Sequence, residues 1–101
     1  MHSETGVENR TYIETSRSGA LMVELDATGA VVRVQIEPEV NASWTAEVLG
    51  ERLVHLHTAA LMRARCDERQ RMNDRGADLP PGAVYPSEAD VAAYRSCHID
   101  F

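Results

Sequence analysis

The chain has 101 residues, room for one small domain, and its ten basic side chains face sixteen acidic ones, for a formal net charge of −6. Every basic residue is an arginine, and only five side chains are aromatic, so the core must be aliphatic and, at this size, thin. An acidic balance argues against a surface devoted to nucleic acid, and no apolar run approaches the roughly 20 residues of a membrane span. The polar start "MHSETGVENR" has no signal-like apolar stretch, and two cysteines, Cys66 and Cys97, are too few for a disulfide framework. The expectation is a cytoplasmic protein with free thiols and no membrane contact.

In chain order, residues 1–10 lack periodicity and read as a flexible tail. From Thr11 the pattern has a period of two: "TYIETS", "ALMVELD" and "AVVRVQIEP" are separated by "RSG" and "ATG". Leu21, Val23 and Leu25 share one face of the second run. Val32, Val34 and Ile36 share one face of the third, with Val31, Arg33 and Gln35 opposite. Gly19 and Gly29 stand where tight hairpins need positive φ, and Pro38 ends the last strand. The spacing predicts a three-stranded antiparallel meander with one apolar face.

Such a face needs a cover. With Ser43 as N-cap and Glu47 in the first turn, a helical pattern runs to about Asn73. Its stripe of Leu49, Leu53, Leu56, Ala60 and Ala64 is the expected lid for Leu21, Val23, Leu25, Val32, Val34 and Ile36. A second apolar stripe, Trp44, Val48, Ala59, Met62 and Cys66, lies off to one side. The helix is about 45 Å long, whereas strands of six residues reach about 20 Å. A rod longer than its sheet and apolar on a second side calls for another surface, most simply a second copy of the chain. The second stripe is therefore the expected dimer or partner interface.

The β-β-β-α unit occupies residues 11–75. Over residues 76–101 a linker, "GADLPPGAVYP", opens with Gly76 as a C-cap; "PSEADVAAYR" then restarts a short helix, with Ser87 and Asp90 forming a capping box and Val91 and Tyr94 available to dock it, a mobile tail being the alternative. The fold class is α+β.

Five arginines, Arg63, Arg65, Arg69, Arg71 and Arg75, crowd the end of the long helix and are the candidate nucleic-acid contacts. On a helical wheel they scatter over the circumference instead of forming one face. Asp67 and Glu68 stand at pairing distance from Arg71, which reads as a solvated helix end. DNA is a possible partner, disfavoured by the charge around it.

His55 and His57 point apart on a helix and cannot share an ion, and no CxxC or HExxH spacing involves Cys66, Cys97 or His98, so no metal is expected. Glu37 and Glu39 flank Pro38 as exposed turn residues. No nucleophile elbow, P-loop or dinucleotide fingerprint occurs, so no cofactor and no catalytic residue is expected.

The phrases "GAVVRVQIEP" and "SWTAEVLGERLVHLHTAALMRARCDERQRM" resemble the YbaB/EbfC family over roughly residues 11–75, and "YPSEADVAAYR" is similar to the tail of the YbaB-like Esp proteins associated with mycobacterial type VII secretion. The resemblance implies a YbaB-like homodimer. For YbaB it implies nucleoid DNA binding without sequence specificity; for the Esp relatives it implies an accessory or chaperone-like role toward protein partners. The chain departs from YbaB in having only a short polar segment before Thr11 in place of the N-terminal helix and in being acidic without lysine, and both departures weigh against DNA binding.

Overall fold

The computed structural model describes residues 10–101; the expected N-terminal tail, Arg10 apart, lies outside the described residues. Three strands, β1 (Thr11–Thr15), β2 (Leu21–Asp26) and β3 (Val31–Ile36), form one antiparallel sheet in the order β1-β2-β3. Three helices follow: α1 (Pro38–Ser43), α2 (Ala46–Asp74) and α3 (Glu88–His98). The α+β meander under a long helix is present, with its short C-terminal helix. No helix among the described residues is long and apolar enough to cross a membrane.

Both hairpins use the glycines as anticipated, Gly19 at φ 79° and Gly29 at φ 95°. In the second, Asp26 Oδ1 accepts from the N–H groups of Thr28 and Ala30 and from the Thr28 hydroxyl. The Thr28 hydroxyl bond is the main cause holding the Asp26 carboxyl below its ordinary pKa. Gly29 also faces α2: a Cβ there would sit 3.0 Å from Leu61 Cδ1, so the turn and the helix pack closely.

The phase of β3 differs from the sequence reading. Val34 lies opposite Val23 and Ile36 opposite Leu21, but a bulge between Glu24 and Leu25 makes Val31, not Val32, the partner of Leu25. One extra residue reverses the alternation beyond it. Val31 therefore joins the face of Val34 and Ile36.

Pro38 does more than stop a strand. At the first turn its missing N–H is harmless and its fixed φ suits a helix, so α1 starts there and buries Val40 in the core. This overturns Ser43 as the cap of the long helix. Ser43 ends α1, its hydroxyl donating to the Glu39 carbonyl, and Thr45 caps α2 by accepting from the Val48 N–H at 3.1 Å. Glu37 and Glu39 serve as N-cap and first-turn acid of α1, both exposed.

The 29 residues of α2 span about 44 Å. Leu56, Ala60 and Ala64 are buried on Tyr12, Leu21, Val23, Leu25 and Val40, with Leu49 and Leu53 partly buried beside them. The lid is narrower than expected. Exposures of 50% for Val31, 52% for Val32, 44% for Val34 and 39% for Ile36 leave β3 uncovered. A helix about 10 Å across spans two strands set about 4.8 Å apart, and α2 lies over β1 and β2.

After α2 the chain is tied down. Arg75 is the C-cap, with Gly76 at φ 107° just beyond it, and the Ala77 N–H returns to the Met72 carbonyl. Leu79 then exchanges hydrogen bonds with the Asn73 side chain and accepts from Arg69 Nη1. Ser87 and Asp90 complete the capping box of α3, and Val91 is buried.

Candidate interaction surface

The second apolar stripe proves to be largely occupied by the chain itself. α3 runs antiparallel along α2: Gln70 Nε2 donates to Glu88 at 3.0 Å near one end, and His55 Nδ1 shares a 3.0 Å hydrogen bond with the Tyr94 hydroxyl near the other. Between these points Ala59 and Cys66 are buried. Trp44 is half-buried, edge-on to Phe101 at 6.4 Å, with the Arg52 guanidinium 4.3 Å above its ring. Val48 and Met62 are half-buried, Met62 beside Leu61, Val84 and Pro86. Ala59 and Cys66 are thus withdrawn from any partner, and the sequence reading erred on them by treating α2 apart from the helix that follows it.

Beneath α3 runs a polar seam that the sequence reading did not identify. Period two puts Glu14 on the face of Tyr12, directed at α2, and leaves it 3% exposed. A carboxylate there demands compensation. Arg63 of α2 lies 2.9 Å from one oxygen and Arg95 of α3 lies 3.2 Å from the other. The Tyr12 hydroxyl donates to Asp67 at 2.8 Å, and Arg10 approaches the same carboxylate at 3.5 Å. The signal was present in "TYIET", where an acid alternates with a tyrosine.

An open cavity of about 270 Å³ is lined there by Tyr12, Arg63, Cys66, Asp67, Glu88 and Arg95, among others. Burial, then the charges of Glu88 and Asp67, push the Cys66 thiol up from its ordinary pKa, the reverse of what a nucleophilic thiolate requires. Cys66 and Cys97 are both free thiols. His55 stacks on His98 at 4.9 Å, while His57 lies on another side of α2, next to Val31 and Val34.

The arginine cluster is mostly internal. Arg63 Nη1 donates to the Ile13 carbonyl at 2.8 Å as well as to Glu14, Arg65 reaches Glu68 and the Thr28 carbonyl, and Arg69 holds Leu79. Asp67 and Glu68 do not pair with Arg71 as anticipated: Arg10 and Tyr12 take the first, and Arg65, one turn away, takes the second. Arg71 is half-buried and Arg75 exposed, and neither makes an ion pair among the described residues.

The open apolar surface lies on the sheet instead. Val23, Val31 and Val34 with Leu53, Val54 and His57 of α2 line a shallow groove of about 240 Å³. Ile36 extends the strip along β3, which is an edge strand, and Val32, left over at the bulge, is exposed as well. Contiguous exposed aliphatic surface of this kind marks an interaction site more often than a solvated face.

No family model matches the sequence, and no curated protein matches it. Among solved structures, the fold is similar to the crystal structure of an uncharacterized protein, HP0035, from Helicobacter pylori, with a TM-score of 0.53 and 18% identity over 75% of this chain and 84% of that one. At that identity the likeness speaks for the fold alone.

Proposed function

We propose that this chain is a non-enzymatic, YbaB-like protein-binding module that works as a homodimer, with β3 as the surface between copies. One observation carries the reading: the chain buries Ala59 and Cys66 of its second apolar stripe within itself, yet leaves Val31, Val32, Val34 and Ile36 open along one edge. An accessory or chaperone-like role toward protein partners, as the Esp resemblance implies, fits the acidic exterior.

Size-exclusion chromatography with light scattering tests the dimer. Twice the chain mass at micromolar concentration is expected, and a compact monomer throughout that range removes the reading. The rival, a DNA-binding role, has lost three of its five arginines to internal contacts. Retardation of duplex DNA that weakens steeply with rising salt would restore it; none is expected at about 0.15 M salt.

A further inference from the structure

The open cavity bordered by β1, α2 and α3 has its charges sorted by sign. We propose that this cavity binds a small zwitterion whose ammonium and carboxylate groups stand about 6–10 Å apart, a dipeptide being the simplest example. A single copy of the chain suffices, so the inference does not depend on the dimer.

Arg63 of α2 and Arg95 of α3 line the basic end. Glu14 lies between them and offsets one of the two charges. Asp67 of α2 and Glu88 of α3 line the acidic end. Arg10 offsets one charge there, 3.5 Å from Asp67 Oδ2. A positive charge is therefore left over at one end and a negative charge at the other. After burial, Glu88 and Asp67 are the charges that raise the Cys66 thiol most, and the next two, Arg69 and Asp90, act in opposite directions. The negative excess thus reaches the cavity wall at Cys66.

The strand keeps the two ends from cancelling each other. Arg63 and Asp67 are four residues apart on α2, the spacing of an intrahelical ion pair, yet each is held by β1 instead. Glu14 and the Ile13 carbonyl take Arg63, and the Tyr12 hydroxyl donates to Asp67. Bonding capacity remains at both ends. Tyr12 and Arg10 approach Asp67 Oδ2, and Gln70 donates to Glu88 Oε2, so Asp67 Oδ1 and Glu88 Oε1 have no partner among the described residues. Arg95 meets Glu14 through Nε, which leaves both terminal nitrogens, unpartnered among the described residues, for the two-pronged contact a carboxylate accepts.

Spacing and volume select the occupant. At about 1.5 Å per residue, the ends are about 6 Å apart along α2 and about 10 Å apart along α3. An α-amino acid, with about 2.5 Å between its nitrogen and its carboxyl carbon, bridges neither, whereas an extended dipeptide reaches about 7 Å. The volume of about 270 Å³ lies just under the usual range of ligand pockets, about 300–1,000 Å³, and suits a small molecule. Tyr12, Cys66 and Val91, all buried, give the short chain between the charges a largely apolar floor.

An NMR titration of the isotope-labelled full chain at neutral pH tests the site. The probes are L-alanyl-L-alanine, its N-acetyl and C-terminal amide forms, and L-alanine. The free dipeptide should shift the amides of Cys66, Val91 and Ala92 saturably, with a Kd of about 5 mM or tighter. Weaker binding, or shifts confined to other residues, overturns the proposal. Blocking either end should weaken binding about tenfold, and a blocked form that binds as well as the free dipeptide overturns the pairing at that end. L-Alanine binding as tightly as the dipeptide overturns the spacing. Glu88→Gln keeps an acceptor for Gln70 and should weaken the free dipeptide about tenfold while leaving the N-acetyl form unchanged. Arg95→Gln should weaken the free dipeptide similarly and leave the amide form unchanged. Equal losses for free and blocked forms would mean that these side chains act on the fold and not on the ligand, which overturns the site.

Discussion

Arg95 of α3 lies 3.2 Å from Glu14 of β1, joining two elements that are nearly as far apart in sequence as the described chain allows. The same carboxylate holds Arg63 at 2.9 Å. Glu14 is the one fully withdrawn charge of the seam, whereas both arginines keep partial access to water. Removing the acid takes the ion-pair partner from both arginines, leaving Arg63 only the Ile13 carbonyl; removing Arg95 leaves one pair intact. Glu14→Ala should therefore cost about 2–3 kcal/mol and Arg95→Ala about 1 kcal/mol. Urea unfolding measures both, and an Arg95→Ala cost equal to that of Glu14→Ala would contradict the arrangement.

Docking of α3 also controls access to Cys66. Ser87→Ala removes the N-cap of α3, a loss of about 1 kcal/mol. In a Cys97→Ser background, labelling of Cys66 by a maleimide should speed up about fivefold if that loss falls on local opening. An unchanged rate would mean that something other than α3 shields the thiol.

Acid should act on the same cap. Hydrogen bonds from the Ser87 backbone and side chain hold the Asp90 carboxyl below its ordinary pKa of 3.8. A depressed carboxylate pKa contributes stability that is fully present above the unfolded value and lost as pH falls through the folded one. The α3 cap should hold at neutral pH and loosen only below 3.8. Amide shifts of Ser87 and Asp90, followed by NMR between about pH 2 and pH 6, should report the change, and Asp90→Asn should abolish it.

Trp44 is the only tryptophan, and its edge-on contact with Phe101 makes its fluorescence a reporter of the C-terminus. Phe101→Ala should shift the emission to the red and cost about 1 kcal/mol, in line with aromatic pairs of this geometry. Unaltered emission would mean that the two rings do not meet in solution.

Two glycines should respond oppositely to alanine. Gly50 lies in α2 with nothing within 4 Å of its added Cβ, so Gly50→Ala should stabilise by about 0.5–1 kcal/mol. Gly29 combines φ 95° with Leu61 Cδ1 at 3.0 Å, so Gly29→Ala should destabilise by at least about 1 kcal/mol. Thermal unfolding separates the two signs.

Much of this fold is legible in local pattern. Gly19 and Gly29 mark the hairpins, the spacing of Leu56, Ala60 and Ala64 marks the buried side of α2, and Ser87 with Asp90 marks the start of α3. Each depends on groups a few residues apart, where steric limits on φ and local hydrogen bonds decide. The register of Val31, the start of α1 at Pro38 and the cap at Thr45 were less legible. A single bulge or an extra turn of helix shifts such details without altering composition.

What sequence alone determined here is the three strands, the long helix with its buried stripe and the capped start of the C-terminal helix. Tertiary structure decided which apolar surface stays open. α3 lies along α2 and is tied to β1 through Arg95 and Glu14, and one helix is wide enough to cover two strands but not three. The open strip consequently falls on Val31, Val32, Val34 and Ile36 of β3. Local periodicity carries no information about which apolar side finds cover, because that choice belongs to contacts between distant parts of the chain.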